Sequence, residues 1–129
     1  MQYIDDRGIN VNSWEPTITS YSKVNKIWGV EYLLSKYTDK YAMKRLEILK
    51  DKCISLQYHV HKNEVWHIVE GTGIANLDGH HFNVAPGDTV EIAAGMIHQV
   101  KATSDKLIII EASTTELDDV VRLNREFVK

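Results

Sequence analysis

Gln57-Tyr58-His59-Val60-His61-Lys62-Asn63-Glu64, answered further along by Gly95-Met96-Ile97-His98, is the stretch that decides how this chain is read. Three imidazoles, an amide and a carboxylate fall in two short windows of otherwise strand-like sequence. Alternate residues of a strand share a face. Gln57, His59 and His61 are therefore expected to point the same way, with Glu64 reached after a short bend. Neutral imidazole nitrogens and a carboxylate suit a borderline divalent metal ion, zinc foremost, or manganese, iron or nickel. Taken singly, each histidine reads as a satisfied surface group; as a set, their spacing reads as a metal site. His67, His80 and His81 lie outside the set, and the last two flank a turn and are expected to face solvent.

Outward from this stretch, short β-type runs follow one another at intervals of about eight to twelve residues, the rhythm of an all-β sandwich or barrel. The predicted strands are Gly29–Leu34, Tyr41–Ile48, Ile54–His61, Val65–Glu70, Gly73–Leu77, His81–Val84, Thr89–Ile92, Ile97–Lys101 and Leu107–Ala112. Asp78-Gly79 fits a type I′ hairpin turn, whose two central residues need positive φ. Pro86-Gly87 fits a type II turn, with proline fixing the first φ and glycine supplying the positive one. The continuous apolar run Leu107-Ile108-Ile109-Ile110 predicts a strand buried on both faces. Near the end, Thr114 or Thr115 can cap a short helix through Leu117–Arg122, with acids in its first turn. Residues 1–25 lack periodicity and are expected to form an irregular or strand-swapped arm. A barrel built this way leaves a pocket in its mouth.

Composition fits that picture. The 129 residues make one domain's worth of chain, 43% hydrophobic and 26% charged, as in ordinary globular proteins. A formal net charge of −3 argues against nucleic acid as an obligate partner, because phosphate backbones demand a basic face. No apolar run approaches the about eighteen residues that span a bilayer, so no membrane partner is expected. Met1-Gln2-Tyr3-Ile4-Asp5-Asp6-Arg7 carries neither the basic nor the apolar part of a secretory signal, which predicts a cytoplasmic location. The single cysteine, Cys53, reads as a small core residue.

Asp51, Gln57, His59, Glu64 and Gly71 have the spacing of the first cupin motif, G-x5-H-x-H-x4-E-x6-G, with Asp51 in place of the leading glycine and Gln57 in place of the first histidine. Gly87, Ala93, Gly95 and His98 resemble the second motif, G-x5-P-x-G-x2-H-x3-N, with Ala93 for proline and Ala102 for the final asparagine. The finer resemblance is to the C-terminal mannose-6-phosphate isomerase domain of the type II, bifunctional mannose-1-phosphate guanylyltransferases. Lys26-Ile27-Trp28-Gly29 resembles that family's R-P-W-G, and Tyr41-Ala42-Met43-Lys44-Arg45-Leu46 its Y-x-V-K-R-L. The run from Ser55 to Trp66 resembles S-L-Q-x-H-H-H-R-x-E-H-W, and Leu117 to Leu123 resembles L-G-E-D-D-I-V-R-L. Together these segments span roughly residues 26 to 127. The chain departs from the family at Lys62, Val65 and Gln99, which stand where the family has arginine, histidine and arginine.

The resemblance implies an all-β cupin double-stranded β-helix, a jelly-roll barrel, over residues 26–129, with a short helical segment near its C-terminus. Exposed β edges in small barrels are often paired across a two-fold axis, so a homodimer is expected. By cupin spacing the metal ligands are Gln57, His59, Glu64 and His98; by ligand strength His61 replaces Gln57, and the alternative stays open. The implied activity is metal-dependent isomerisation of a sugar phosphate, aldose to ketose through a cis-enediol. His61, Glu64 and His67 are the candidates for the base that moves the proton, His61 first if Gln57 completes the shell. Arg45, Lys62 and Arg122 are expected to hold the sugar phosphate, with Arg122 also serving the chemistry, and Trp28 to wall the pocket. Lys44 reads as a solvated strand residue and Trp66 as core. Two other functions fit the same motifs: a dioxygenase-like metal cupin, and a sugar-binding cupin without catalysis.

Overall fold

The computed structural model describes residues 21–37 and 40–124. The proposed arm therefore lies mostly outside the described residues. Its last part does not: Ser22–Lys26 is a strand, β1, paired antiparallel with β2 (Gly29–Tyr37) across the two-residue turn Ile27-Trp28. The remaining strands are β3 (Tyr41–Leu49), β4 (Leu56–Tyr58), β5 (Glu64–Glu70), β6 (Gly73–Leu77), β7 (His80–Val84), β8 (Thr89–Ile92), β9 (His98–Ala102), β10 (Lys106–Ser113) and β11 (Val121–Asn124). They form two antiparallel sheets, ordered β1-β2-β3-β10-β5-β8 and β11-β4-β9-β6-β7. This is the cupin jelly roll that the motifs imply. No helix among the described residues is long and apolar enough to cross a membrane.

The core lies between the two sheets and follows the period of two. Leu46 and Ile48 on β3, Trp66 and Ile68 on β5, and Leu107 and Ile109 on β10 meet Ala75, Val84, Val100 and Ala102 from the second sheet. Ile108 is buried as well, while Ile110 is only half-buried, so the apolar run is covered on both faces over most of its length. The inward positions change character along each strand. On β10, Leu107 and Ile109 give way to Glu111 and Ser113; on β3, Ile48 and Leu46 give way to Lys44. On β5, Ile68 and Trp66 give way to Glu64, and on β9, Ala102 and Val100 give way to His98. One end of the barrel is thus an apolar plug, and the other a polar chamber.

Local geometry agrees with the turn chemistry. Asp78 and Gly79 both have positive φ, 49° and 88°, in the β6–β7 hairpin. Gly87 has φ 94°, and Asp88 N–H donates to Ala85 O at 3.0 Å, closing the Pro86-Gly87 turn. Two expectations need correction. The predicted strand Ile54–His61 is ordered as a named strand only over Leu56–Tyr58, because the amides of Val60, His61 and Lys62 all donate to the Asp119 carboxylate instead of a ladder. The predicted helix over Leu117–Arg122 is a pair of tight turns followed by β11, which pairs with β4. Six residues cannot offset the cost of helix nucleation alone. Adjacent Val120 and Val121 favour extended backbone, and Asp119 is engaged with the loop opposite.

Candidate metal centre

His59, Glu64 and His98 converge at the polar end, one potential ligand atom from each lying within 4.8 Å of the others. Glu64 opens β5, a central strand of the first sheet; His98 opens β9, a central strand of the second. His59 follows directly after β4. Glu64 Oε2 is 2.7 Å from His59 Nε2 and 3.5 Å from His98 Nε2. All three residues are buried, His98 completely.

The hydrogen bonds around the trio fix which atoms face inward. His59 Nδ1 lies 2.6 Å from the Asp119 carbonyl and His98 Nδ1 2.9 Å from the Met96 carbonyl. A carbonyl only accepts, so each Nδ1 carries a proton and, in the neutral ring, each Nε2 keeps a bare lone pair. On Glu64, Oε1 accepts the Trp66 indole N–H at 2.8 Å, which leaves Oε2 facing the imidazoles. Glu64 Oε2, His59 Nε2 and His98 Nε2 are all buried without a hydrogen-bond partner among the described residues. Three Lewis-basic atoms confronting one another out of water are stable only around a proton or a cation. Two imidazoles and a carboxylate suit a divalent metal, whose tetrahedral shell with bonds of about 2.0–2.1 Å would set neighbouring ligand atoms roughly 3.3 Å apart. The 3.5 Å separation matches that edge, and the 2.7 Å one needs to open by less than an ångström.

The electrostatics agree. Burial works against the charge on Glu64, but the adjacent His59, His98 and Lys62 outweigh it and bring the carboxyl down to about 2. Burial pushes His98 below its ordinary value, keeping the ring neutral, while Glu64 pulls the other way. Beside the trio sits Lys62, buried, with Nζ 3.3 Å from Glu111 Oε2 and 3.9 Å from Glu64 Oε2. Glu111 is pushed up to about 7, by burial first and then by the charge of Glu64, with Lys62 opposing.

The trio adjoins a cavity of about 360 Å³, a size usual for small-molecule sites. Gln57, His59, Lys62 and Glu111 form its inner part; Trp28, Lys44, Leu117, Val120 and Arg122 are among its walls. A second hollow of about 380 Å³ shares Lys26, Glu31, Lys44, Leu117, Val120 and Arg122 with it, so the two form one cleft. Lys44 is paired with Glu31 at 3.3 Å, whereas Lys26 and Arg122 have no ion pair among the described residues.

The structure places the sequence candidates as follows. His59, Glu64 and His98 come together. Gln57 pairs with His98 across β4 and β9, so its side chain stands on the same face and lines the cavity, its Oε1 accepting from Ser55 Oγ at 3.3 Å. His61 is exposed and outside the cluster, because the strand that was to align it with His59 ends at Tyr58. His67 is exposed too, its Nδ1 3.0 Å from Thr89 Oγ1, on the side of β5 away from the chamber. Trp28 and Arg122 line the cavity. Lys62 lines it as well, but with its charge met by two carboxylates, not free for a phosphate. Arg45 lies on the outer face of β3, 2.8 Å from Glu47, and Lys44 takes the inward position that the solvated reading denied it. Two residues escaped the sequence reading. Glu111 was signalled by alternation, since Leu107, Ile109 and Glu111 share one face. Asp119 reaches the site from nearly sixty residues away, and only its place in the D-D-x-x-R likeness hinted at it.

Comparison with known proteins supplies the last observation. The family described as mannose-6-phosphate isomerase C-terminal matches residues 15–125. A curated relative, mannose-1-phosphate guanylyltransferase of Escherichia coli (strain K12), is 29% identical over 106 residues, which cover 79% of this chain and 22% of that protein. The chain thus spans about a fifth of that relative. Among solved structures, the capsular polysaccharide assembling protein CapF from Staphylococcus aureus superposes with a TM-score of 0.72 at 16% identity, over 81% of this chain and 34% of that one. KdgF from Halomonas sp. superposes with a TM-score of 0.68 at 15% identity, over 78% of this chain and 90% of its own. At these identities the structural likeness concerns the fold alone.

Proposed function

The chain belongs to the mannose-6-phosphate isomerase C-terminal family, and on that footing we propose that it is a metal-dependent sugar-phosphate isomerase of the mannose-6-phosphate type. The observation that carries the reading is the buried His59–Glu64–His98 trio beside a cavity that also holds Lys62, Glu111 and the mouth cations. His59, Glu64 and His98 would hold the metal, with Gln57 on the same face as a further oxygen donor. A divalent metal ion there would act as a Lewis acid toward the sugar's carbonyl and hydroxyl oxygens.

The chain's own residues divide the remaining work. Lys26 and Arg122, without an ion pair among the described residues, are the mouth cations offered to a phosphate. Lys44 supports them from the cavity wall through its pair with Glu31. Glu111 and Lys62 face the cavity next to the trio, where a proton must leave one sugar carbon and return to its neighbour. A carboxyl poised near neutrality can take and give that proton at working pH, and Lys62 N–H can stabilise oxygen charge as it develops. His61, exposed and outside the cluster, has no place in this scheme. Leu117, Val120 and Trp28 shield the reacting end from water.

Metal analysis of the purified protein, followed by a coupled assay of mannose-6-phosphate to fructose-6-phosphate conversion, tests the proposal. Bound zinc and turnover that His98→Ala abolishes are the expected results. Absence of isomerase activity after zinc or manganese is supplied would overturn it. The two-histidine, one-carboxylate set also matches non-haem iron oxygenases. Bound iron with substrate-dependent oxygen uptake would favour that second reading.

A further inference from the structure

We propose that Asp119 is a positioning residue for the metal centre, setting the tautomer of His59 with its carbonyl and the shape of the His59–Glu64 loop with its carboxylate. The inference rests on the metal reading of the trio. The loop between β4 and β5 carries His59, Lys62 and Glu64, yet its amides have no ladder to join. Val60 N–H donates to Asp119 Oδ1 at 3.1 Å; His61 and Lys62 N–H donate to Oδ2 at 2.5 and 3.0 Å. Three successive amides turned toward one carboxylate fix the backbone of the loop between His59 and Glu64. The same residue's carbonyl accepts from His59 Nδ1 at 2.6 Å, which keeps the Nε2 lone pair directed at Glu64.

The rest of the loop is held separately. Gly95 N–H donates to His59 O, Ala94 N–H to Asn63 Oδ1, and Asn63 N–H to Thr114 Oγ1. Among the described residues, Asp119 alone hydrogen-bonds with both a ligand ring and the loop backbone. Its carboxyl is held below the ordinary range, first by the His61 amide, which burial opposes, and then by those of Val60 and Lys62. The donors that lower it are the ones the geometry identifies. Groups that orient a metal-bound imidazole typically govern metal affinity by about 10–100-fold.

The test is a zinc affinity measured by competition with a chromogenic chelator, together with the visible spectrum of the cobalt-loaded protein. Asp119→Asn keeps the size of the side chain but replaces one acceptor oxygen with an N–H₂ that confronts the amides. Zinc affinity is expected to fall about 10–100-fold, with a changed cobalt spectrum. Thr114→Val loosens the same loop from its other end without reaching His59, and is expected to leave affinity within about threefold. An Asp119→Asn protein that binds zinc within about twofold of the wild type overturns the role of Asp119. If the variant does not fold, nitrogen NMR of metal-free wild type decides: a proton on His59 Nε2 and not on Nδ1 overturns the proposal. Wild-type protein that binds neither zinc nor cobalt sinks the metal reading itself, a result distinct from intact binding by the variant.

Discussion

Trp66 reads from the sequence as core, and it is buried to 1% exposure, but its indole N–H also holds Glu64 Oε1 and so aims the other oxygen at the histidines. Trp66→Phe keeps most of the ring in place and strands a carboxylate oxygen. The metal-free variant should lose about 1–3 kcal/mol in chemical denaturation, and its zinc affinity should fall as Glu64 becomes free to rotate. Glu64 itself makes a pH prediction. Its carboxyl sits at about 2 in the folded chain against an ordinary value of 4.5, so the folded state favours the charged form. The stability this contributes is complete above about 4.5 and is lost as pH falls toward 2. In chelator-treated protein, Glu64→Gln should remove that part of the acid dependence, and a pH series of unfolding midpoints reads it directly. At this scale cupin spacing marked the three residues that converge, His59, Glu64 and His98, while the sequence hid Asp119 because a sixty-residue separation leaves no local pattern.

Strand alternation explains both the successes and the failures at the level of elements. Each of the nine predicted strands overlaps an observed one, since turn residues and period-two burial are local signals. β1 and β11 were missed because they are edge strands, mostly exposed at the described positions and without an apolar rhythm. Arg45 was assigned to the site by likeness, although Ala42, Leu46 and Ile48 already mark the even-numbered face as inward. The contrast is testable: Lys44→Ala should raise KM for mannose-6-phosphate several-fold, and Arg45→Ala should leave it unchanged. The β1–β2 hairpin gives another element-level prediction. Gly29 has φ 150°, and a Cβ there would lie 1.9 Å from the Glu47 carbonyl oxygen. Gly29→Ala should cost about 3 kcal/mol or more, with Trp28 displaced from the cavity wall. Gly79→Ala meets open space and should cost only about 1–2 kcal/mol of positive-φ strain. Thermal unfolding of the two variants distinguishes them.

The polarity gradient along the barrel would make metal binding at the trio a property of the whole molecule. Glu64 belongs to one sheet and His98 to the other, so an ion held by both ties the sheets together at the end where apolar packing gives out. Zinc at 100 times its Kd should raise stability by about 2.7 kcal/mol, an increase in Tm of roughly 10 °C. Chelation should reverse that gain, and the wild-type gain should be absent in His98→Ala. The walls of the cleft have a different origin from its floor. Lys26 and Trp28 come from the β1–β2 hairpin, and Leu117, Val120 and Arg122 from the run into β11. The ligands come from the middle of the chain, between residues 59 and 98. The candidate metal ligands and these outer walls of the cleft are therefore encoded in separate stretches of the gene. Recombining the two outer stretches among relatives offers a route to new substrates that leaves the reaction centre in place, with Asp119 the one residue such a graft must carry across unchanged.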